Sequence, residues 1–389
     1  MIYLDHAATT PLHPEVAAVM YDVMQKCYGN PSTTYTIGRE ARELLENARK
    51  QVADLICAQP EEIIFTSGGT ESDFLALWGV VCSHKEQGSK KGRGSHIITS
   101  SIEHHAVLNN SANLAKYLDC TVTYLPVDGD GLIDPADVKQ AIRSDTTLIS
   151  IMHANNEIGT IEPIEEIASI AREEGVPFHI DAVQTVGHIP VDVNKLGVDL
   201  LSLSGHKFYG PKGVGALYVR QGTPFTSLLQ GGGQERGYRS GTENLPGIVG
   251  LGKAAVIAQR DMEKEQQRLE KLRDALIKGI EEQIPGARLN GHRTKRLPHN
   301  VNFAFPNIEG ESLLLGLDLQ GIAVSSGSAC STGSEEPSHV LRALGGLPDQ
   351  YLNGAIRMTL GRSNTEEDIT TVIEALATLV KKLNQLFSS

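Results

Sequence analysis

Residues 200–213 read Leu200-Leu-Ser-Leu-Ser-Gly-His-Lys207-Phe-Tyr-Gly-Pro-Lys-Gly213. A largely apolar run leads straight into Ser-Gly-His-Lys, and glycines surround the lysine. A run with so little polar alternation predicts a strand buried on both faces, as in a parallel sheet. A lysine at the end of such a strand is desolvated. That favours the neutral amine, which can form a Schiff base with an aldehyde. An isolated lysine in a Gly-Pro turn is more often a surface residue, and Lys212 reads as one. The company of Lys207 sets it apart.

Working outward, further apolar, β-branched runs fall at residues 63–65, 96–99, 121–125, 148–152, 177–180 and 214–219. Helical stretches lie between them, for example from Ile164 to Glu174, which ends at Gly175. This rhythm predicts a layered α/β domain. After Pro246 the texture changes. Residues 254–284 read as one long charged helix with apolar positions at Met262, Leu269, Leu272, Leu276 and Ile280, and a boundary is expected near residue 260. The last helix opens on Thr365-Glu-Glu-Asp368, a capping box with Asp in place of Glu. Ile369, Val372, Ile373, Leu376, Leu379 and Val380 then follow a helical period.

The 389 residues carry 35 Lys plus Arg against 47 Asp plus Glu, a net charge of −12. That balance argues against direct nucleic-acid binding, which relies on clustered cations. No apolar run approaches the roughly 18 residues of a membrane span. The start, Met1-Ile-Tyr-Leu-Asp-His6, does not read as a secretory signal, so a cytoplasmic protein is expected. Five cysteines (Cys27, Cys57, Cys82, Cys120 and Cys330) are scattered and odd in number, which is no disulfide framework. Cys57 and Cys82, with aliphatic neighbours, read as core residues, and residues 85–93 as a solvated basic loop.

Several other residues suit chemistry. Asp181 follows an apolar run, where a carboxylate is costly to bury without a cationic partner. A pyridinium nitrogen would be one, although a metal or a helix start would serve as well. Gln184, three residues on, could donate to an aromatic hydroxyl. Thr66-Ser-Gly-Gly-Thr-Glu-Ser72 is a Gly-rich turn opening a helix, a common seat for phosphate. It matches neither a Walker A loop nor a dinucleotide fingerprint. His104 and His105 do not share a helix face and lack metal-site spacing, so a single imidazole stacked on a cofactor ring fits better. Cys330 lies in Ser325-Ser-Gly-Ser-Ala-Cys-Ser-Thr-Gly-Ser334, with nothing local to pack against, and reads as an accessible thiol. Arg357, inside an apolar alternation, wants a carboxylate, either a ligand's or one from an internal salt bridge.

Together these residues resemble the cysteine desulfurases of the NifS/IscS type, among the class V pyridoxal-phosphate enzymes. The resemblance runs through Tyr3-Leu-Asp-His-Ala-Ala-Thr-Thr-Pro11, Asn30-Pro-Ser, Ser67-Gly-Gly-Thr-Glu71, Glu103-His104 and His153-Ala-Asn-Asn-Glu157. It continues through Ser204-Gly-His-Lys207, Arg239-Ser-Gly-Thr242, Ser328-Ala-Cys330 and Arg357. The resemblance implies an aspartate-aminotransferase-like fold (pyridoxal-phosphate fold type I). Its large α/β domain, residues 15–260, would hold a mostly parallel seven-stranded sheet. A smaller α+β domain, residues 1–14 and 261–389, would carry a catalytic loop at about 325–338.

By the same resemblance Lys207 would hold pyridoxal phosphate as a Schiff base and Asp181 would pair with its ring nitrogen. Gln184 would contact the ring hydroxyl, and His104 would stack on the ring as a catalytic residue. Gly69, Thr70, Ser204 and His206 would hold the phosphate, with Thr242 reaching over from a second subunit of a homodimer. Asn156 and Arg357 would hold the substrate carboxylate. The implied reaction takes L-cysteine to L-alanine, with the sulfur kept on Cys330 as a persulfide. The chain's last residues, Phe387-Ser-Ser389, do not match the tail that scaffold-serving members use. The acceptor is therefore open among an iron–sulfur scaffold protein, a tRNA-thiolation enzyme and general sulfur supply. The alternatives are another class V enzyme, either a cysteine or selenocysteine lyase or an aminotransferase, and a non-catalytic subunit. Cys330 argues against transamination, and intact Lys207, Asp181 and His104 argue against a degenerate subunit.

Overall fold

The apolar runs assemble around the lysine-bearing strand. The computed structural model describes residues 1–88, 95–326 and 337–387. In chain order its strands are β1 (Ile2–Tyr3), β2 (Ile63–Thr66), β3 (Ser95–Ser100), β4 (Cys120–Leu125), β5 (Thr146–Met152) and β6 (Phe178–Asp181). They continue as β7 (Leu200–Ser204), β8 (Gly215–Val219), β9 (Arg288–Leu289), β10 (Asn300–Ala304), β11 (Ile322–Ala323) and β12 (Ala355–Thr359). β2 to β8 form a seven-stranded sheet in the order β2-β8-β7-β6-β5-β3-β4. β7, β6, β5, β3 and β4 run parallel, while β8 is antiparallel to both β7 and β2. Every residue of β3, β6 and β7 is buried, because helices cover both faces. The edge strand β4 is half exposed.

All seven runs expected in this domain become its strands, with ends shifted by a residue or two. One shift matters: the strand expected at 177–180 is Phe178–Asp181, so Asp181 is the last residue of β6 rather than the first beyond it. The helix Ile164–Glu174 ends as expected, with Gly175 in the left-handed region at φ 67°. The long helix starts earlier than its charge pattern suggested. It spans Leu245–Gln283, with Pro246 in its first turn, where a missing N–H costs nothing. Its first half buries Leu251, Ala254 and Ala258 in the core it shares with the helices Pro14–Lys26 and Thr36–Leu55 beside the large sheet. Its second half buries Leu269, Leu272, Leu276 and Ile280 in a separate core with β10, β12 and the last helix, Glu366–Phe387. That helix has the expected reciprocal cap: the Asp368 N–H donates to Thr365 Oγ1 at 3.2 Å and the Thr365 N–H to Asp368 Oδ2 at 3.0 Å. The smaller sheets are β12-β10-β9 and the pair β1-β11.

Cys57 departs from expectation. It is exposed, with φ 57°, just past the helix Thr36–Leu55, because the chain must turn sharply there before Pro60. Cys82 is only half buried, and Cys120 is the cysteine placed in the core. Of the basic loop at 85–93, residues 89–93 lie outside the described residues. No helix among the described residues is long and apolar enough to cross a membrane.

A buried ion pair fastens the segment before Thr242 to β2. Arg49 Nη1 donates to Glu235 Oε2 at 2.6 Å and Nη2 to Oε1 at 2.9 Å, with side chains 2% and 3% exposed. The same guanidinium donates to Ile63 O, and Phe65 N–H donates to Glu235 Oε2 at 2.9 Å. Glu235→Ala would leave the guanidinium buried, with only the half-exposed Glu46 as a counter-charge. We expect a loss of about 3–5 kcal/mol in denaturant unfolding, and a smaller loss for the apolar double variant Arg49→Met/Glu235→Leu. Equal losses would mean that the pair's charges are not what matters.

Candidate active site

A cavity of about 370 Å³ opens at the carboxyl ends of the parallel strands, where open α/β sheets receive ligands. The ends of β6 and β7 place Asp181 and Ser204 on its wall, and the turns after them add Gln184, His206 and Lys207. Gly69 and Thr70 enter from the turn after β2, His104 from the turn after β3, and Asn156 from that after β5. Arg357 reaches in from β12 of the smaller sheet. A larger groove of about 540 Å³, beside Arg143 and Glu174, holds none of these residues.

Lys207 faces this cavity rather than open water. Its Nζ donates to Ala7 O at 2.6 Å and Ala8 O at 3.0 Å. Its own carbonyl accepts from His188 Nε2 at 2.9 Å. Ala7 O also accepts from Gln184 Nε2 at 3.0 Å. The segment Asp5–Thr9 therefore forms one side of the pocket.

Arg357 makes the internal salt bridge that is one of its two expected readings, from Nη2 to Asp5 Oδ1 at 2.8 Å, and its guanidinium also faces the cavity. Nη1 donates to Asn156 O at 3.1 Å. The Arg357 main chain exchanges hydrogen bonds with Ser325 at 2.6 and 3.0 Å.

The residues fit pyridoxal phosphate on three counts. The turn Ser67-Gly-Gly opens a 20-residue helix, whose N-terminal amides suit a phosphate. Its glycines cannot be replaced cheaply: Gly68 has φ 151°, and a Cβ on Gly69 would come within 2.7 Å of Val183 Cγ2. Asp181 is 6% exposed and accepts one hydrogen bond, from Val183 N–H at 2.9 Å, leaving capacity for a cationic ring nitrogen. Lys207 supplies a primary amine on the same cavity. The phosphate turn is held in place by Glu71, which accepts from Ser67 N–H at 2.8 Å and pairs with Arg239 at 2.8 Å.

Burial sets the charges. It pulls His104 down to about 4, helped by the Lys207 charge, and His153, His188 and His206 also to about 4. It pushes Glu103 and Glu162 up to about 8. The unfolded chain protonates those histidines below about pH 6.5, so they destabilise the fold as pH falls from there towards 4. The two carboxyls act oppositely, because the unfolded chain releases their protons near pH 4.5 and the folded protein keeps them to about 8. Below 6.5 the histidines outnumber the carboxyls, and above it only the carboxyls count. The ligand-free protein should therefore melt highest near pH 6.5. Glu162→Gln should flatten the decline from 6.5 to 8 in calorimetric scans, and an unchanged slope would refute this assignment.

Two expected residues stand apart. Thr242 is exposed and does not line the cavity of its own chain. Cys330, with the rest of 327–336, lies outside the described residues. The structure adds Asp5, Ala7, Ala8, Asp73, Met152 and Val183 to the site and its supports. Of these, only Asp5, Ala7 and Ala8 carried a signal, as part of the motif Tyr3–Pro11.

The comparisons agree along the whole chain. The Aminotransferase class-V family matches residues 2–372. A cysteine desulfurase IscS of Dictyoglomus turgidum is 54% identical over 385 residues, covering 99% of this chain and 96% of that protein. Among solved structures, a NifS-like protein superposes with TM-score 0.90 at 39% identity, covering 98% of this chain and all of that one. SspA in complex with cysteine superposes with TM-score 0.78 at 36% identity, over 92% and 99% of the two chains. With the fold, the cavity and its lysine in place, the chain belongs to the class-V aminotransferase family.

Proposed function

We propose that this chain is a pyridoxal-phosphate-dependent cysteine desulfurase that turns L-cysteine into L-alanine and holds the sulfur on Cys330. The observation that carries this is the convergence of Lys207, Asp181, His104 and Arg357 on one cavity, in a chain so close to a named cysteine desulfurase. Pyridoxal phosphate, when bound there, supplies an electrophilic aldehyde and an electron-withdrawing ring. Lys207 would hold it, Asp181 would face the ring nitrogen, Gln184 the ring hydroxyl, and His104 the ring face. Gly69, Thr70, Ser204 and His206 would seat the phosphate.

The protein's own groups then bind and orient. Arg357 and Asn156 grip the substrate carboxylate, which fixes the Cβ–S bond relative to the cofactor. The Lys207 amine can take the proton at the substrate Cα. His104, neutral at physiological pH, can take one at the substrate thiol. The sulfur step balances without an outside oxidant: the Cβ–S bond breaks, an S–S bond to Cys330 forms, and Cβ takes a proton. We place the active protein as a cytoplasmic homodimer in which the partner chain supplies Thr242. The domain division is at residue 260, and a protein sulfur acceptor serves iron–sulfur assembly or tRNA thiolation.

Cysteine carrying radioactive sulfur tests this reading. Each turnover should yield one alanine and one labelled sulfur on the protein, released by a thiol reductant. Pyruvate or unlabelled protein would show a different chemistry.

A further inference from the structure

We propose that Asp73 is a positioning residue for Asp181: a buried carboxylic acid, packed beside His179 at the cavity floor, that leaves Asp181 as the anionic carboxyl there. This rests on the reading that Asp181 faces the ring nitrogen of pyridoxal phosphate.

Asp73 sits one turn into the helix Gly69–Gly88, lines the cavity and is 1% exposed. Its Oδ1 accepts no hydrogen bond and lies 3.7 Å from His179 Nε2. His179 precedes Asp181 by two residues on β6, so both side chains project from the same face. Ser150 on β5 is the register partner of His179, and Ser202 on β7 that of Asp181. His179 Nδ1 meets Ser150 Oγ at 2.8 Å, and Nε2 meets Ser202 Oγ at 3.0 Å. A buried chain Ser150–His179–Ser202 therefore ties three strands together, and the Asp73 carboxyl, on the helix that follows β2, approaches it at His179.

Two carboxyls on one dry floor do not both ionise, because each raises the cost of the other's charge. Asp181 has what holds an anion: the Val183 N–H and the nearby Lys207 charge. Asp73 lacks both, and its Oδ1 accepts no hydrogen bond. Burial and the Asp181 charge raise Asp73 well above the usual carboxylate range, and burial pulls His179 down to about 3. The close approach of Asp73 to His179 therefore joins an acid to a neutral imidazole, and is no ion pair. With the imidazole neutral, the Ser202 O–H donates to Nε2 and Nδ1–H donates to Ser150, and the Asp73 carboxyl keeps its proton beside them.

The loaded protein and its Asp73→Asn variant, compared by infrared difference spectroscopy at neutral pH, provide the test. The variant should lose a protonated-carboxyl C=O band, and loss of carboxylate bands instead would overturn the proposal. In pyridoxal-phosphate titrations of the ligand-free protein, Asp73→Asn should bind within about threefold of the unsubstituted chain, and Asp73→Ala about tenfold more weakly. Equal weakening by Asn and Ala would overturn the proposal. If the Ala variant does not fold, the infrared result decides alone. Asp181→Ala separates the two readings: undiminished cofactor affinity there would sink the Asp181 assignment, whatever Asp73 does.

Discussion

Lys207→Ala should lower alanine formation by at least about a thousandfold, because the substitution removes both the cofactor's covalent anchor and the base at the substrate Cα. The fold should survive. Lys207 donates to Ala7 O and Ala8 O, bonds worth about 1–3 kcal/mol each, which shifts the melting point of a chain this long by only a few degrees. Thermal melting should therefore shift little while activity collapses. The truncated side chain also enlarges a cavity that already holds about 370 Å³, leaving room for a small primary amine. Adding methylamine should recover part of the rate if the missing group is the amine itself. A variant that melts much earlier and ignores the added amine would mean that Lys207 acts chiefly as a structural tether.

How much of this was legible in the sequence depends on how far apart the cooperating atoms lie along the chain. The strands were readable because central strands covered on both faces must be apolar throughout, and Gly175 and Thr365-Glu-Glu-Asp368 mark helix ends by local chemistry alone. Lys207 and the phosphate turn were readable for the same local reason. Their partners were not. The carbonyls of Ala7 and Ala8 that receive the Lys207 amine are backbone atoms from about 200 residues away in the chain and carry no side-chain signal. Asp73 sits in a helical run where a lone Asp reads as a solvated face. Only the packing of that helix onto β6 and β7 buries it. Cys57 misled because aliphatic neighbours in sequence say nothing about a residue placed beyond a helix end. Arg357 was poised between a ligand carboxylate and an internal one, and the fold provides the internal one in Asp5 while leaving the guanidinium on the cavity wall.

Cys330→Ser should abolish alanine formation from cysteine to a similar degree, while leaving the cysteine-induced change in the cofactor's absorption intact. The two effects separate because a hydroxyl cannot take over a sulfur atom, whereas on the proposed reading the substrate is bound by other side chains. No other thiol lines the cavity among the described residues, and burial pushes the Cys82 and Cys120 thiols up, away from the reactive thiolate. The segment that carries Cys330 is tied at both ends to the site. Ser325 bonds the Arg357 main chain, Ser338 Oγ donates to the buried Glu157 at 2.6 Å, and His339 Nε2 meets Glu103 O at 2.9 Å. A thiol of ordinary acidity is only about 3% thiolate at pH 7, so the native rate should climb with pH until that group is ionised. The serine variant's residual rate should lack that limb. A Cys330→Ser protein that makes alanine at the native rate, with an added thiol taking the sulfur as its own persulfide, would turn the enzyme into a lyase that needs no protein thiol.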